Sequence, residues 1–468
     1  MQLVFALAPI ALLIVLLTAF RMKAWKAALV ALAVAIVLAV VGFDLPLTRV
    51  APVIAGGVGF ALYPISTIIL AALFVYSLTV ESGAMATIKA GLLAIGADKR
   101  VQALVIVWGF GNFMEGMAGF GTAVAIPAAI LVGVGFDPLK SVMMCLVANT
   151  TPTVFGSVGV PLMTLAKESG VEPHALSWAC AALQAVVTAL GPFLVLLVLD
   201  GPRALKGMVG KALIADVAFL VPWMLAARFF GGELPDILGG VFVMLVFVAL
   251  SPKAISAAGF ARQSHAWAPF GFVVAFLAIA LALPPSLRRF APPPLVVLAA
   301  GFAGGFVQGL AWRRMANVLW RTFLRYWTAF ATICAVLALA RTMGEAGMIS
   351  AIASALVELA GFAYPFVAPL VGALGGFVTG SGTSSNVLFG ALQAKAASEL
   401  SLAPSLLAAA NVMGAGIGKM ICPQSIAIGV AAAGIARMSG ETMQKIAPWF
   451  FAVLALASLV TGLAALWL

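Results

Sequence analysis

Apolar stretches close to twenty residues long recur from one end of the chain to the other, separated by short polar loops. A stretch of that length spans a bilayer as a helix. The runs are continuous rather than alternating, which argues against a membrane β-barrel. The pattern predicts about twelve spanning helices, near 3–20, 24–43, 56–80, 141–165, 175–199, 211–230, 236–250, 267–284, 291–311, 326–343, 404–430 and 447–467. Two further stretches, about 101–135 and 362–398, are apolar but interrupted by Gly and polar residues. Each reads as a re-entrant hairpin, a helix–loop–helix that enters and leaves on the same face. Such backbone survives at membrane depth only when protein or a water-filled cavity surrounds it. The predicted fold class is all-α: a polytopic membrane protein with two re-entrant hairpins, in a single integral membrane domain over 1–468.

The interruptions come in matched pairs. Phe113 and Gly116 match Phe377 and Gly380, and Asn149, Gly156 and Pro161 match Asn411, Gly418 and Pro423 with the same internal spacing. Upstream, Glu81 and Gly83 match Glu345 and Gly347, and Gly111 matches Gly375. Gly matches carry little weight in a chain with 47 Gly; the Asn match carries more, since only five Asn are present. The repeats run over about 56–165 and 320–430, joined by connecting helices over about 175–311. In the predicted order the segment at 56–80 runs inward and its partner at 326–343 outward, so the repeats are inverted. Inverted repeats with broken segments surround the midplane sites of secondary transporters. The competing reading is that Gly-rich apolar sequence aligns with itself by chance.

Loop charge supports this order. Hydrophobic residues make up 64% of the chain and charged residues 9%, against about 25% charged in soluble domains. With the N-terminus outside, the cytoplasmic loops hold Arg21, Lys23, Lys26, Lys89, Lys99, Arg100, Lys140, Arg203, Lys206, Lys211, Lys253, Arg262, Arg313, Arg314, Arg321, Arg325, Arg437 and Lys445. Only Arg49, Lys167, Arg228, Arg288, Arg289, Arg341 and Lys395 fall at the outer ends. That is the positive-inside bias. Reading either hairpin as one full crossing would reverse every loop after it. The net charge of +11 is spread over these loops and not gathered on a soluble domain, so no nucleic acid partner is implied; membrane lipid is. Cys145, Cys180, Cys334 and Cys422 lie in apolar segments without metal-ligand spacing, and His174 and His265 are read as loop residues without visible partners. No metal or cofactor is expected. Residues 3–20 lack a basic leader region and read as a retained helix.

The candidate chemistry sits at the hairpin tips and the broken helices. Gly119 and Gly121 in the first tip let backbone approach a ligand closely. Thr383, Ser384, Ser385 and Asn386 in the second add hydroxyl and amide groups. A helix restarting at either tip favours an anion. Asn149, Thr150 and Thr151, followed by Pro152, predict an unwound turn in one broken helix. Asn411 to Gly418 predict one in the other, followed by Gln424 and Ser425. The alternative throughout is that small residues only tighten helix packing. Charges inside a membrane are costly and usually functional. Lys419 is the first candidate to pair with a substrate carboxylate, or to form a salt bridge that the substrate displaces. Glu115, the only acid in the paired tips, is the candidate to exchange a proton. Asp216 and Arg341 are secondary, and Glu81 and Glu345 read as solvated helix ends.

At these residues the chain resembles the bacterial L-lactate permease family. The strings that carry the resemblance are F-M-E-G-M-A-G-F-G-T-A-V-A-I-P, L-V-G-V-G-F, V-A-N-T-T-P-T-V-F-G-S-V-G-V-P, E-L-P-D-I, G-S-G-T-S-S-N-V-L-F-G-A-L-Q and G-K-M-I-C-P-Q-S-I-A-I, in order over most of the chain. The resemblance implies a bacterial inner-membrane symporter that takes up L-lactate with a proton and also accepts D-lactate or glycolate. Its wider superfamily uses inverted repeats with two hairpins. Two departures stand out: many members carry an acid where this chain has Gly382, and the region 250–290 is shorter here. Three other functions are weighed. A sodium-coupled carboxylate symporter would place the ion among carbonyls and the hydroxyls of Thr150, Thr151, Ser384 and Ser385. A passive organic-anion channel would need no coupling acid. An enzyme would need a nucleophile–base pair or metal cluster that the sequence does not offer.

Overall fold

The computed structural model describes residues 2–20, 22–96, 98–251 and 257–467. Arg21 and Lys253, both counted among the loop charges, lie outside them. Every regular element among the described residues is helical. The chain opens with α1 (Gln2–Thr18), α2 (Ala24–Gly42) and a long bent α3 (Leu47–Glu81). A short α4 (Ala84–Ala94) leads to the first hairpin, α5 (99–117) and α6 (Thr122–Gly133). Then come α7 (Pro138–Ala148) and α8 (Gly156–Ser169), separated by a non-helical stretch. The connecting helices are α9 (Pro173–Thr188), α10 (Gly191–Asp200), α11 (Val209–Phe229), α12 (Pro235–Ala249), α13 (Ala257–Ala282) and α14 (Pro293–Val307). The second half repeats the order of the first: a long α15 (Trp312–Glu345), a short α16 (Met348–Ala360), and a hairpin of α17 (Tyr364–Thr379) and α18 (Gly382–Glu399). A helix split into α19 (Pro404–Lys419) and α20 (Pro423–Ala432) follows, and α21 (Ser439–Trp467) closes the chain.

The matched residues mark matched joints. Gly83 and Gly347 both sit in the left-handed region, at φ 79° and 80°, between a long helix and a short one. That conformation suits Gly because it has no Cβ. The short helices α4 and α16 went unrecognised in the sequence. Each buries one narrow stripe, Met85, Ile88 and Leu92 in the first and Met348, Ile349, Ile352 and Ala353 in the second. α4 is too short to span, whereas α16 runs on into α17 as one apolar stretch, Met348–Thr379. Side-chain caps with Pro in the first turn start several helices: Asp137 accepts from Lys140 N, and Glu172 from Ala175 N.

Among the described residues, eight helices are long and apolar enough to cross a membrane, or nine if the bent pair α19–α20, angled by 45°, counts as one span. One of the eight, Met348–Thr379, runs through α16 and α17 and is not among the twelve spans expected; of those twelve, the segments at α1, α7–α8, α12 and α14 hold only shorter helices. At about 1.5 Å per residue, a 15-residue helix covers only about 22 Å.

The sequence placed the second unwound turn at Asn411–Gly418. In the structure α19 is helical through that stretch, and the break falls at 420–422. The reason is helix packing. A Cβ at Gly414 or Gly418 would collide with the carbonyl oxygens of Pro369 and Ala373 on α17, and one at Gly372 or Gly376 with those of Asn411 and Ala415 on α19. The two helices cross backbone to backbone over four glycines, the small-residue contact used between membrane helices. Residues 406–419 are all buried as a result.

Two further expectations are corrected. His174 lies in the first turn of α9, with Nε2 2.6 Å from the Arg228 carbonyl, and His265 lies within α13, with Nε2 2.8 Å from the Val307 carbonyl. Glu81 is not merely solvated: its carboxylate accepts from Arg314 Nε at 2.9 Å. Arg341 packs near Gly56, and Asp216 is buried on α11 with no partner for its Oδ1 among the described residues.

The backbone crossing makes a clear stability prediction. Gly414→Leu forces a side chain into the Pro369 carbonyl and should destabilise the protein by about 1–3 kcal/mol or more, the usual cost of overpacking. Gly133→Ala, whose Cβ meets nothing within 4 Å, should leave stability unchanged. Thermal midpoints in detergent decide it; equal midpoints for both variants would remove the crossing as a constraint.

Candidate functional site

Four helix starts meet at one cavity of about 120 Å³. Its walls come from the first tip (Glu115, Phe120, Gly121), the first break (Asn149, Thr153, Gly156, Ser157), the second tip (Thr379 to Ser384) and the second break (Lys419, Gln424, Ser425). Thr332 and Ile333 of α15 and Ala24 of α2 complete it. The helices that begin here are α6, α18, α20 and α8, the last with left-handed backbone at Ser157, Val158 and Gly159, so that its regular right-handed turns begin at Val160, beside the wall residue Pro161. Each start carries backbone N–H groups without intrahelical partners and the positive end of a helix dipole. No side chain caps the start of α6 or α20; at α18 Ser381 accepts from Ser384 N. The cavity is built to favour an anion.

Lys419 supplies the full positive charge. Its Nζ donates to Glu115 Oε1 at 2.7 Å, and the two side chains are only 9% and 5% exposed. The bridge joins the first hairpin to the second broken helix, 304 residues apart in the chain. Among the described residues, Glu115 Oε2 has no hydrogen-bond partner, and neither has Asn149 Oδ1. Both atoms are buried, on residues that line the cavity, and a buried acceptor without a partner is uncommon.

The first tip and first break are held in strained backbone. Phe120, Ser157 and Val158 have φ of 52°, 49° and 56°. Left-handed conformations cost L-residues about 1–2 kcal/mol each, and for a β-branched residue such as Val158 they are outliers. Such strain persists only where the surroundings over-determine it, commonly at functional sites. Here Ser157 Oγ donates to the Ala118 carbonyl at 3.0 Å, tying the start of α8 to the tip.

Of the residues singled out in the sequence, the structure brings Glu115, Gly121, Asn149, Thr383, Ser384, Lys419, Gln424 and Ser425 to the cavity wall. The others face protein. Gly119 packs on Ser157, where a Cβ would collide with its hydroxyl. Thr150 Oγ1 donates to Val147 O, and the Thr151 carbonyl accepts from Gln184 Nε2 at 2.6 Å. Ser385 Oγ donates to Gly372 O across the second hairpin. Asn411 Nδ2 donates to Asn386 Oδ1 at 3.0 Å, and Asn386 Nδ2 to Pro161 O at 2.9 Å. That chain of amides knits α19, α18 and α8 behind the cavity. Sequence reasoning missed Phe120, Thr153, Ser157, Thr332 and Ser381. Thr332 lies outside both tips and breaks, and nothing local marks it. Gly382 lies against Thr153, whose Cγ2 would be 2.5 Å from an added Cβ. An acid at this position therefore requires a different neighbour.

No group of three or more His, Cys, Asp or Glu that could hold a metal occurs among the described residues.

With this geometry in view, the relatives are informative. A sequence model of the L-lactate permease family matches residues 2–292 and 285–467. An L-lactate permease of Streptococcus iniae is 36% identical over 442 residues, covering 87% of this chain and 93% of that protein. Glycolate permease GlcA of Escherichia coli (strain K12) is 32% identical over 510 residues, covering 93% and 90%. The L-lactate permease of the same strain is 30% identical over 492 residues, covering 91% and 89%. The chain belongs to the L-lactate permease family, a family of transporters and not enzymes, and is a multi-pass bacterial membrane protein.

Proposed function

We propose that this permease takes up L-lactate and related small 2-hydroxymonocarboxylates, D-lactate and glycolate, by proton symport. The observation that carries the reading is the buried Lys419–Glu115 bridge at the meeting point of four helix starts. The names of the relatives, lactate and glycolate permeases, point to the same substrate class.

The charge count supplies the coupling. In the bridged state Lys419 and Glu115 neutralise each other. A lactate carboxylate that takes Lys419 leaves Glu115 as an unpaired buried anion, which is strongly unfavourable. A proton arriving with the substrate neutralises Glu115, so anion and proton enter together. The helix starts hold the rest of the carboxylate charge. Asn149 Oδ1 stands ready to accept from the 2-hydroxyl, a contact that propionate lacks.

The path across the membrane follows from the repeated element order. We read α1, α2, α3, α7–α8, α9–α10, α11, α12, α13, α14, α15, α19–α20 and α21 as twelve crossings, and α5–α6 and α17–α18 as hairpins entering from opposite faces. The repeats are then inverted, and rocking of one against the other exposes the cavity alternately.

Five outcomes test this reading. Proteoliposomes loaded with wild-type protein should accumulate labelled lactate when a pH gradient alone is imposed; accumulation driven only by a sodium gradient would replace the proton with sodium. Lys419→Met should abolish binding at normal expression while Lys419→Arg keeps part of it, because the fork differs in shape from an ammonium; full binding by the Met variant would clear Lys419 of the role. Glu115→Gln should still exchange lactate but lose pH-driven accumulation, and driven uptake at the wild-type level would end the coupling assignment. Asn149→Ala should weaken lactate binding by about tenfold, roughly one lost hydrogen bond to a polar buried group, with little effect on propionate; equal losses for both acids would argue against a hydroxyl contact. For topology, single cysteines at positions 100 and 140 should label from the cytoplasm and one at 167 from outside; opposite faces for 100 and 140 would refute the first hairpin.

A further inference from the structure

A second acid stands directly behind the bridge. Asp236, in the first turn of α12, is only 1% exposed. Its Oδ1 accepts from Trp223 Nε1 of α11 at 2.8 Å, while its Oδ2 has no hydrogen-bond partner among the described residues. Asp236 packs on the backbone next to Glu115: a Cβ at Gly116 would lie 2.8 Å from Asp236 Cβ and 3.0 Å from Ile237 N. The charged groups within electrostatic reach of Asp236 are Glu115, from the first hairpin, and Lys419, from α19. From α11 it is faced by Trp223, which does not titrate. Two buried carboxyl oxygens without hydrogen-bond partners therefore belong to neighbouring acids, Glu115 Oε2 and Asp236 Oδ2.

One ammonium stands against two carboxyls. With Lys419 bridged to Glu115, an ionised Asp236 would be a buried charge without an ion-pair partner, which is more costly than holding a proton. Asp236 does not line the cavity that holds Glu115. In the proposed topology α12 starts on the outer side of the first tip, toward the loop that carries Glu233. His174, hydrogen-bonded to the Arg228 carbonyl, lies beside that loop.

We propose that Asp236 is a proton-relay acid that loads Glu115 from the outer side by a route separate from the substrate's. When the substrate carboxylate takes Lys419, the O–H bond at Asp236 Oδ2 breaks and one forms at Glu115 Oε2. The negative charge moves to Asp236, where the Trp223 N–H holds it until a proton from the outer solution restores the acid. The sum is one proton for one anion, and the site is neutral before and after. Glu115 then releases its proton to the cavity as the substrate leaves. This inference rests on the reading of Glu115 as the coupling acid.

The test is transport in proteoliposomes with wild type, Asp236→Asn, Asp236→Glu and Trp223→Phe. Two rates are read: labelled-lactate exchange at equal pH, and accumulation under a pH gradient as the outer pH is varied. Asp236→Asn should lose driven accumulation far more than exchange, and lose its dependence on outer pH. Asp236→Glu should restore part of the accumulation. Trp223→Phe should still accumulate lactate, with the pH midpoint of uptake moved upward, because the N–H that favours the ionised relay acid is gone. Driven accumulation at wild-type level with an unchanged pH profile in Asp236→Asn would overturn the relay. If Asp236→Asn does not reach the membrane, an unmoved profile in Trp223→Phe overturns it instead. The two readings fail differently: driven uptake lost in Glu115→Gln but intact in Asp236→Asn sinks the relay alone, whereas driven uptake intact in Glu115→Gln sinks the coupling role and the relay with it.

Discussion

The Lys419–Glu115 bridge is the constraint around which the rest of the site is arranged. Two charges have been taken out of water at the centre of an apolar protein, and each is tolerable only while the other is present. Removing one partner, whether by mutation or by a competing carboxylate, leaves an uncompensated charge. That makes the bridge a poor source of stability and a good switch. It also explains why the surrounding wall is made of helix starts and hydroxyls: they are dipoles that can follow the charge as it changes hands without adding a fixed charge of their own.

The two halves hold their parts of this site differently. On the second side, the four-glycine crossing of α17 and α19 and the amide chain from Asn411 through Asn386 to the Pro161 carbonyl make a stiff unit that places Lys419. On the first side, Glu115 is carried on a tip whose backbone is forced into left-handed conformations and pinned by Ser157. The first hairpin packs on α12 and, through Phe113, against Trp267 and Phe270 of α13. The bridge therefore joins a closely packed helix pair on one side to a tip of strained backbone on the other.

The family model spans both halves of the chain and the join between them. Within it, Gly382 is the informative departure. Its place against Thr153 leaves no room for a side chain, so in this chain the acids near Lys419 are Glu115 and Asp236.

What the sequence determined alone was everything governed by local pattern: helices throughout, two polar interruptions in each half, the joints at Gly83 and Gly347, and the first break after Asn149. These follow from apolar run length, from Gly at positive φ and from Pro, all of which act within a few residues. It also singled out Lys419 and Glu115 as separate intramembrane charges, because a charge in an apolar run is conspicuous wherever it sits. Their union was decided only in three dimensions, by helices 304 residues apart in the chain. Tertiary structure also settled the glycines of Asn411–Gly418. Unwinding and close packing call for the same residue, and only the backbone of α17 lying against them shows which of the two holds. The same is true of Ser385 and Asn386, whose side chains read as ligand contacts in sequence and are bonded to protein in the fold, and of Asn411, which gives its amide N–H to Asn386 while its Oδ1 has no hydrogen-bond partner among the described residues. Whether a buried donor faces a cavity or a carbonyl depends on what packs opposite it, and the sequence around it does not record its neighbour.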